Sequence, residues 1–368
     1  GHGQDGSRPT GAVTTGVGYG RVVVDGTRVR TAWHRLQIPL RRAARNRLVR
    51  GRPWSALVAW PLAAGAAIVA LVRVLGLDAG TPLVQIVAFT PYLAIVCGVA
   101  AVLSGLMRRP LATAVAAVAA LSLVAVVVPR ALGSPATGPG TPLVVMSANL
   151  RYGGADPASI VDLAREADVD VLALQELTPE GEQALLDQGL AELLPFRESH
   201  PGPRASGSAV YTRWPTSDGG VRSASDGGFL QAYATITLDR GSVIVESVHP
   251  VPPSSVTRTG EWLVGLNNQV PATAGGPPRI LAGDFNATLD HRALRALLAT
   301  GYQDAADAVG AGLTPTWPYY GPRSAVTPKV ALDHIVVPNG IGVRDFRAVT
   351  IPHTDHRAIL ATLLLPPG

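Results

Sequence analysis

The sequence predicts an α/β or α+β domain preceded by three transmembrane helices, and three observations carry that reading. Residues 54–77, 82–107 and 110–129 are apolar runs, each about long enough to cross a bilayer as a helix and nearly free of charge inside. Residues 131–141, ALGSPATGPGT, have the composition of a linker. From residue 142 to 368, short apolar runs alternate with amphipathic ones, enough chain for one domain with a substantial core.

Of the 368 residues, 47% are hydrophobic, a share that fits a globular or a membrane protein, so distribution decides. Residues 1–140 hold 15 Lys and Arg against 3 Asp and Glu, a balance of +12; residues 141–368 hold 16 against 23, a balance of −7. The overall +5 therefore averages two unlike parts. The second lacks the basic footprint that a nonspecific nucleic-acid binder carries. The single cysteine, Cys97, lies within an apolar run, so no intrachain disulfide can form.

Residues 1–53 read as a flexible basic tail in the cytoplasm. Its first 40 residues are rich in Gly, Thr and Arg without periodicity, and RVVVDGTRVR at 21–30 has the form of a hairpin. Arg41, Arg42, Arg45, Arg47, Arg50 and Arg52 then precede the first apolar run, where arginines set topology or touch anionic lipid; nucleic acid is the other partner such a cluster serves. Arg108 and Arg109 lie between the second and third runs, while the loop around Asp78 has no positive charge. The positive-inside rule then places the N-terminus in the cytoplasm and, after three crossings, everything from Arg130 onward outside. Arg73, near the end of the first run, is expected to snorkel.

Within the domain, strands are expected at 143–146, 169–174, 208–212, 230–238, 243–248, 280–282, 332–337, 343–349 and 358–365, and helices at 157–167, 257–268 and 291–298. Polar residues stand at the ends of the apolar strands: Asn149, Glu176, His249, Asp284 with Asn286, Asp333 with His334, and Asp355 with His356. In RILAGDFNATL, Asp284 and Asn286 sit two apart, so on an extended backbone they face the same way. Two readings are open there: an Asx turn closing the strand, or a carboxylate taking a proton from a water that the carboxamide fixes. One polar strand end is readily a turn, but six of them have no packing reason.

Seven motifs occur in order: SANL at 147–150, LQEL at 174–177, GSAVYTR at 207–213, SVHP at 247–250, GDFNA at 283–287, LDHI at 332–335 and TDH at 354–356. The ordered set resembles the endonuclease/exonuclease/phosphatase superfamily, the fold shared by DNase I, abasic-site endonucleases, neutral sphingomyelinases and inositol polyphosphate 5-phosphatases. The apolar runs plus linker resemble its bacterial membrane-anchored members. The resemblance implies a four-layered sandwich of two β-sheets flanked by helices. It implies Glu176 as the main ligand of a Mg²⁺ ion, with Mn²⁺ as a substitute, and Asn149 and Asp355 as residues shaping that metal site. Asp284, held with Asn286, would orient or deprotonate the attacking water. His356, paired with Asp333, would face the scissile phosphate, and His249 would act on the phosphate or the leaving group. His291, His334 and His353 have no counterpart that carries over and are read as structural.

The implied activity is Mg²⁺-dependent hydrolysis of a phosphate ester, with a phosphodiester preferred, outside the cytoplasmic membrane. Anchoring and an acidic domain favour a lipid headgroup or envelope phosphodiester as substrate. DNA is the alternative, and a non-catalytic membrane-bound binding module is the third reading. No protein partner is predicted. Trp317, Tyr319 and Tyr320 form an aromatic loop open to three roles: stacking a base, contacting lipid, or packing.

Overall fold

The computed structural model describes residues 53–366 apart from 226, 240 and 273–275. The expected tail, its hairpin at 21–30 and the arginine cluster at 41–52 lie outside the described residues.

The chain opens with α1 (Pro53–Leu75), α2 (Leu83–Val87), α3 (Thr90–Leu106) and α4 (Pro110–Val127). Helices α1, α3 and α4 pack with small side chains inside, among them Ala59, Ala63, Cys97, Ala112 and Ala116. The large ones face outward: Leu57, Ile95, Leu106, Leu111 and Leu121 are each at least two-thirds exposed. A helical bundle in water shows the opposite arrangement. The ends of the bundle are also distinct. Ser55 Oγ donates to Met107 O (3.4 Å) and accepts from Arg109 Nε (3.1 Å), so the start of α1 and the α3–α4 turn share one end. Arg73, Tyr92 and Arg130 lie at the other end, where all three bond to the domain that follows.

Of the three expected spans, two are long and apolar enough to cross a membrane, Trp54–Leu75 and Pro110–Ala131, 22 residues each. The 82–107 run is instead broken into α2 and α3, and α3 has 17 residues. Pro91, in the first turn of α3, has no N–H to bond backward, and Thr90 Oγ donates to Val87 O (2.7 Å), closing α2.

The domain runs β1 (Thr141–Asn149), α5 (Pro157–Glu166), β2 (Val171–Gln175), α6 (Pro179–Asp187), α7 (Leu190–Leu193), β3 (Phe196–His200), β4 (Ser208–Thr212), β5 (Thr216–Ser223), β6 (Leu230–Leu238), β7 (Gly241–Val248), α8 (Val256–Asn267), β8 (Arg279–Asp284), α9 (Arg292–Leu298), β9 (Tyr302–Asp304), α10 (Ala305–Ala308), β10 (Asp333–Pro338), β11 (Gly342–Thr350) and β12 (Arg357–Leu365). Helix starts follow ordinary capping: Asp156, Thr178 and Ser255 accept the N–H of Ser159, Gly181 and Arg258. One sheet has the order β11-β12-β1-β2-β4-β3 and the other β5-β6-β7-β8-β10-β9. Each is antiparallel except at its centre, where β1 runs parallel to β2 and β7 parallel to β8.

The sheets face each other across Val145, Ala173, Ala234, Val245, Ala282 and Ile359. The outer face of the first sheet is covered by α5 through Ile160, Val161 and Ala164, and that of the second by α8 and α9 through Trp262, Leu266 and Leu294. This is the four-layered sandwich the resemblance implies. Its central strands are apolar on both faces because both faces are covered, as VLALQ of β2, buried at every residue, illustrates.

The helical bundle is fastened to the sandwich. Arg73 does not snorkel: its Nε donates to Asp290 Oδ1 (2.5 Å), while Arg130 makes two further bonds to the same carboxylate (2.7 and 2.8 Å), and all three residues are buried. Burial alone would raise the Asp290 pKa, but the Arg130 and Arg73 guanidinium groups more than offset it and hold the carboxyl below its ordinary value. His291 accepts the Thr288 N–H at Nδ1 (2.8 Å), so Nε2 carries the proton and donates to Val84 O (2.9 Å). Val84 itself belongs to the core beneath α8 and α9. Residues 131–141 lie along the sandwich, with the Ala136 N–H on Val343 O (2.7 Å) and Gly133 so close to the 307–310 backbone that a Cβ would not fit.

Removing one member of a buried ion cluster leaves the others charged and unpaired. Asp290→Ala is therefore expected to cost about 3–5 kcal/mol of folding free energy, read by denaturant unfolding of the full chain in detergent. Parental stability in the variant would mean that the two arginines reach solvent.

Candidate active site

The ends of β1, β2, β7 and β8 and the starts of β10 and β12 meet at one end of the sandwich. Parallel central strands bring Asn149, Glu176, His249 and Asp284 to a common edge, and the antiparallel neighbours begin there, with Asp333 opposite Asp284 in register. His356 immediately precedes β12. Two of the turns are left-handed at non-glycine residues, Glu176 (φ 57°) and Asn286 (φ 47°), conformations retained where the surroundings enforce them.

Asp284 is the hub. Its Oδ1 accepts the Asn286 backbone N–H (2.8 Å), and Oδ2 accepts Asn149 Nδ2 (3.1 Å). Oδ2 also lies 3.6 Å from Nε2 of both His249 and His356. Burial raises the Asp284 pKa to about 6, although the His356 charge opposes the shift. His356 sits between two carboxylates, with Nδ1 2.9 Å from Asp333 Oδ2. Burial would lower its pKa, but Asp333 and Asp284 outweigh that and push it up to about 10, so the ring is an imidazolium at neutral pH. His249 is the contrast: burial lowers its pKa, with Asp284 only partly opposing, and the ring packs on Phe229 at 4.7 Å between centroids. One buried histidine is thus held charged and the other neutral.

Glu176 accepts from Asn149 Nδ2 (3.2 Å) and from the Tyr152 backbone N–H (2.8 Å). Burial raises its pKa, and its one partner at ion-pair distance among the described residues is the neutral His249, 3.9 Å away. Asp355 is held by Trp317 Nε1 (3.0 Å) and lies 3.6 Å from Arg151 Nε.

Two candidate metal positions follow. Asp284, Asp333 and His356 each offer a ligand atom within 4.8 Å of the others. That cluster already holds a proton on His356, which balances part of its charge and blocks the ring as a ligand. Glu176 feels the His356 charge only at longer range and has no cation in direct contact among the described residues, and with Asn149 and Asp355 nearby its oxygen donors suit a hard divalent cation better. As placed, the Asn149 amide points toward both carboxylates and its Oδ1 accepts the Arg151 N–H (2.9 Å).

Asn286 sends Nδ2 to Pro250 O (3.0 Å) and so stays at the rim beside Asp284. His334, read as structural, bonds Asp304 Oδ2 and Ala287 O (2.8 Å each), tying the loop after β8 to β9. The Trp317 contact to Asp355 ties the aromatic loop to the site, a contact not among the three roles read from the sequence. Thr354 is a further contributor: its Oγ donates to Asn149 O (2.8 Å) and accepts the His356 N–H (3.2 Å). Its place in the TDH motif was the available signal.

A buried acid with a raised pKa takes up a proton more readily folded than unfolded, so its charge costs stability above about pH 6 and the cost fades as pH falls from about 6 to about 4. Asp284→Asn in the presence of chelator is therefore expected to raise folding stability relative to the parent at pH 8, with the difference shrinking as pH falls toward 4. A variant no more stable than the parent at pH 8 would place Asp284 in a solvated setting.

The model of the Endonuclease/Exonuclease/phosphatase family matches residues 146–356. Among solved structures, Danio rerio TDP2 complexed with a single-strand DNA product superposes with a TM-score of 0.50 at 17% identity, covering 61% of this chain and 99% of that one. Truncated Caenorhabditis elegans TDP2 gives 0.50 at 16%, covering 61% and 98%. A mannosyl-6-phosphatase of Bacteroides thetaiotaomicron gives 0.46 at 16%, covering 61% and 100%. Comparison with curated protein sequences finds no match. At these identities the two TDP2 superpositions speak to the fold alone, which they share with the described sandwich. The chain belongs to the endonuclease/exonuclease/phosphatase family, and with it to the metal-dependent hydrolases of phosphate esters.

Proposed function

We propose that this chain is a membrane-anchored, Mg²⁺-dependent phosphoesterase that hydrolyses a phosphate ester, preferentially a diester, on the outer side of the cytoplasmic membrane. The observation that carries the reading is the Glu176 carboxylate, with no cation in direct contact, beside the Asp333–His356–Asp284 array in which His356 touches two carboxylates.

Glu176, Asn149 and Asp355 would hold the cation, which when bound draws charge from the phosphoryl oxygens. Asp284 accepts the proton of the attacking water; a pKa near 6 leaves it ionised at neutral pH yet basic enough for the task. Asn286 fixes the Asp284 carboxylate through its backbone N–H, and its carboxamide, held on Pro250 O, would orient the water. The water oxygen joins phosphorus, the ester P–O bond breaks, and the leaving oxygen departs with a proton. His356, kept charged by Asp333, offsets the negative charge that grows on the phosphoryl oxygens. His249, neutral, presents Nε2 beside Asp284 and Glu176, where it hydrogen-bonds the phosphate or the leaving oxygen, and the proton that oxygen takes up comes from solvent water.

The outward-facing large side chains of α1, α3 and α4 support a lipid setting for the bundle, and its Ala-rich interior suits close helix packing there. The Arg108–Arg109 turn shares an end with the start of α1, opposite the domain, which supports an inside N-terminus and an outside active site. Domain bounds of 54–130 for the membrane part, 131–141 for the linker and 142–368 for the catalytic part accompany that reading. The −7 balance after residue 141 favours a lipid headgroup or envelope phosphodiester. DNA is the second reading, since one similar fold was solved with a single-strand DNA product. A purely binding role is disfavoured by the presence of Glu176, Asp284, Asn286 and His356 in one cluster.

The test is Mg²⁺-dependent hydrolysis by the full chain, with plasmid DNA and phospholipid vesicles side by side. Glu176→Ala is expected to abolish it with the fold intact, and His356→Ala to lower turnover at least about a hundredfold. A loss of only a few-fold in either variant contradicts its assigned role. Nicking of DNA with lipid untouched would select the second reading.

A further inference from the structure

The loop between α10 and β10 joins the active site to the helical bundle. At its inner end, Trp317 Nε1 and the Tyr319 N–H bond Asp355, and the Tyr320 ring lies under the Arg151 guanidinium (4.9 Å). At its outer end, Lys329 O accepts the hydroxyl of Tyr92 (2.8 Å), in the first turn of α3. Between α3 and this loop runs a crevice of about 90 Å³, lined by Pro91, Tyr92, Leu313 and Lys329 among others. The loop's free face is apolar where it is most exposed: Val326 is 82% exposed and Leu313 40%.

The length of α3 decides what covers that face. Seventeen residues rise about 25 Å, less than the roughly 30 Å of a bilayer's hydrocarbon core. The outward apolar residues of α3 begin at Ile95, one turn after Tyr92, so Tyr92 stands at the edge of the hydrocarbon, where tyrosines concentrate. A loop hydrogen-bonded to Tyr92 cannot stand clear of the headgroups.

We propose that residues 313–331 form a lip resting in the headgroup layer, and that the substrate reaches the site laterally, as a phosphoester carried by a lipid of the same bilayer. The proposal rests on the reading of the bundle as membrane-embedded and of the site as a phosphoesterase. It commits the Trp317 loop to lipid rather than to a nucleic-acid base.

Cys97 is the only cysteine and is buried in the bundle, so a single surface cysteine can be labelled selectively. Full-length Val326→Cys carrying an NBD fluorophore, in phosphatidylethanolamine/phosphatidylglycerol nanodiscs, is expected to show blue-shifted emission that nitroxide-labelled lipid quenches. Asp239→Cys, in the turn at the opposite end of β7, is expected to show water-like emission. Equal, water-like emission from both sites would overturn the lip. Delivery is tested with Val326→Asp: hydrolysis of vesicle phospholipid should fall at least tenfold while hydrolysis of bis(p-nitrophenyl) phosphate stays within twofold. An equal effect on both substrates, or none on either, would overturn lateral entry. A parent protein that cleaves the soluble diester but no phospholipid overturns the lipid substrate and leaves the phosphoesterase standing. Inactivity on both removes the phosphoesterase reading and the lipid substrate with it, while the fluorophore still decides the lip.

Discussion

The close approach of four strand ends is the constraint on which the domain depends. β7 and β8 can run side by side to their ends only because residue 283 is glycine; a Cβ there would come within 2.0 Å of Val248 O. Small residues such as Ala173, Ala234 and Ala282 keep the two sheets near each other. Just beneath the site, Gln175 accepts from Ser147 Oγ (3.2 Å) and donates to Ser247 Oγ (2.8 Å), bridging the sheets with each of those groups satisfied. That closeness crowds Glu176, Asp284 and Asp333 into one buried patch, which is costly unless cations share it. His356 supplies one positive charge. The remaining deficit at Glu176 is the physical argument for a divalent ion, and it follows from packing before any chemistry is considered.

The same rule governs the side that meets the helical bundle. Asp290, only 1% exposed, is tolerable because Arg73 and Arg130 converge on it from two different helices. An arginine at the end of an apolar helix would ordinarily turn its head to the headgroups. Here a carboxylate within reach gives a better partner, so what reads as a snorkelling residue becomes a fastening one.

How much of this was legible in the sequence can be argued residue by residue. Strands with a continuously buried face announced themselves: β4, buried at every residue, and β6, buried at alternate ones, have the expected bounds, and β8 lies around its Ile280–Ala282 run. The polar strands β3 and β5, at sheet edges, did not. β3 is FRESH and β5 is TSDGGVRS; neither contains a fully buried residue, so neither needs apolar alternation, and pairing alone makes them strands. Helix α6 opens with PEGEQ, whose polar face hides a short apolar one. The 82–107 run looked like one span because hydropathy does not register a proline that interrupts a hydrogen-bond ladder. At the site, the ordered motifs named residues that do lie together, but the charge states were not readable. His249 and His356 are both histidines at strand ends, and only the neighbouring Asp333 separates a neutral ring from an imidazolium. Asp290 carried no sequence signal as an ionic partner, since Arg73 and Arg130 are 217 and 160 residues away.

The segment from Asp284 to His291 unites these themes. Within eight residues it contributes the carboxylate at the centre of the site, the Asn286 turn beside it, the Ala287 carbonyl that fastens to His334, and then Asp290 and His291, which grip Arg73, Arg130 and Val84. Such a short stretch, bonded at nearly every residue, has little freedom to move one end without the other. The helices therefore do more than tether the domain: they fix the orientation of the site relative to the bundle. A flexible tether would let the site sample all directions and would suit a substrate arriving from solution. A site clamped through its own central loop has surrendered that freedom, which is useful only if the substrate always arrives from the same side.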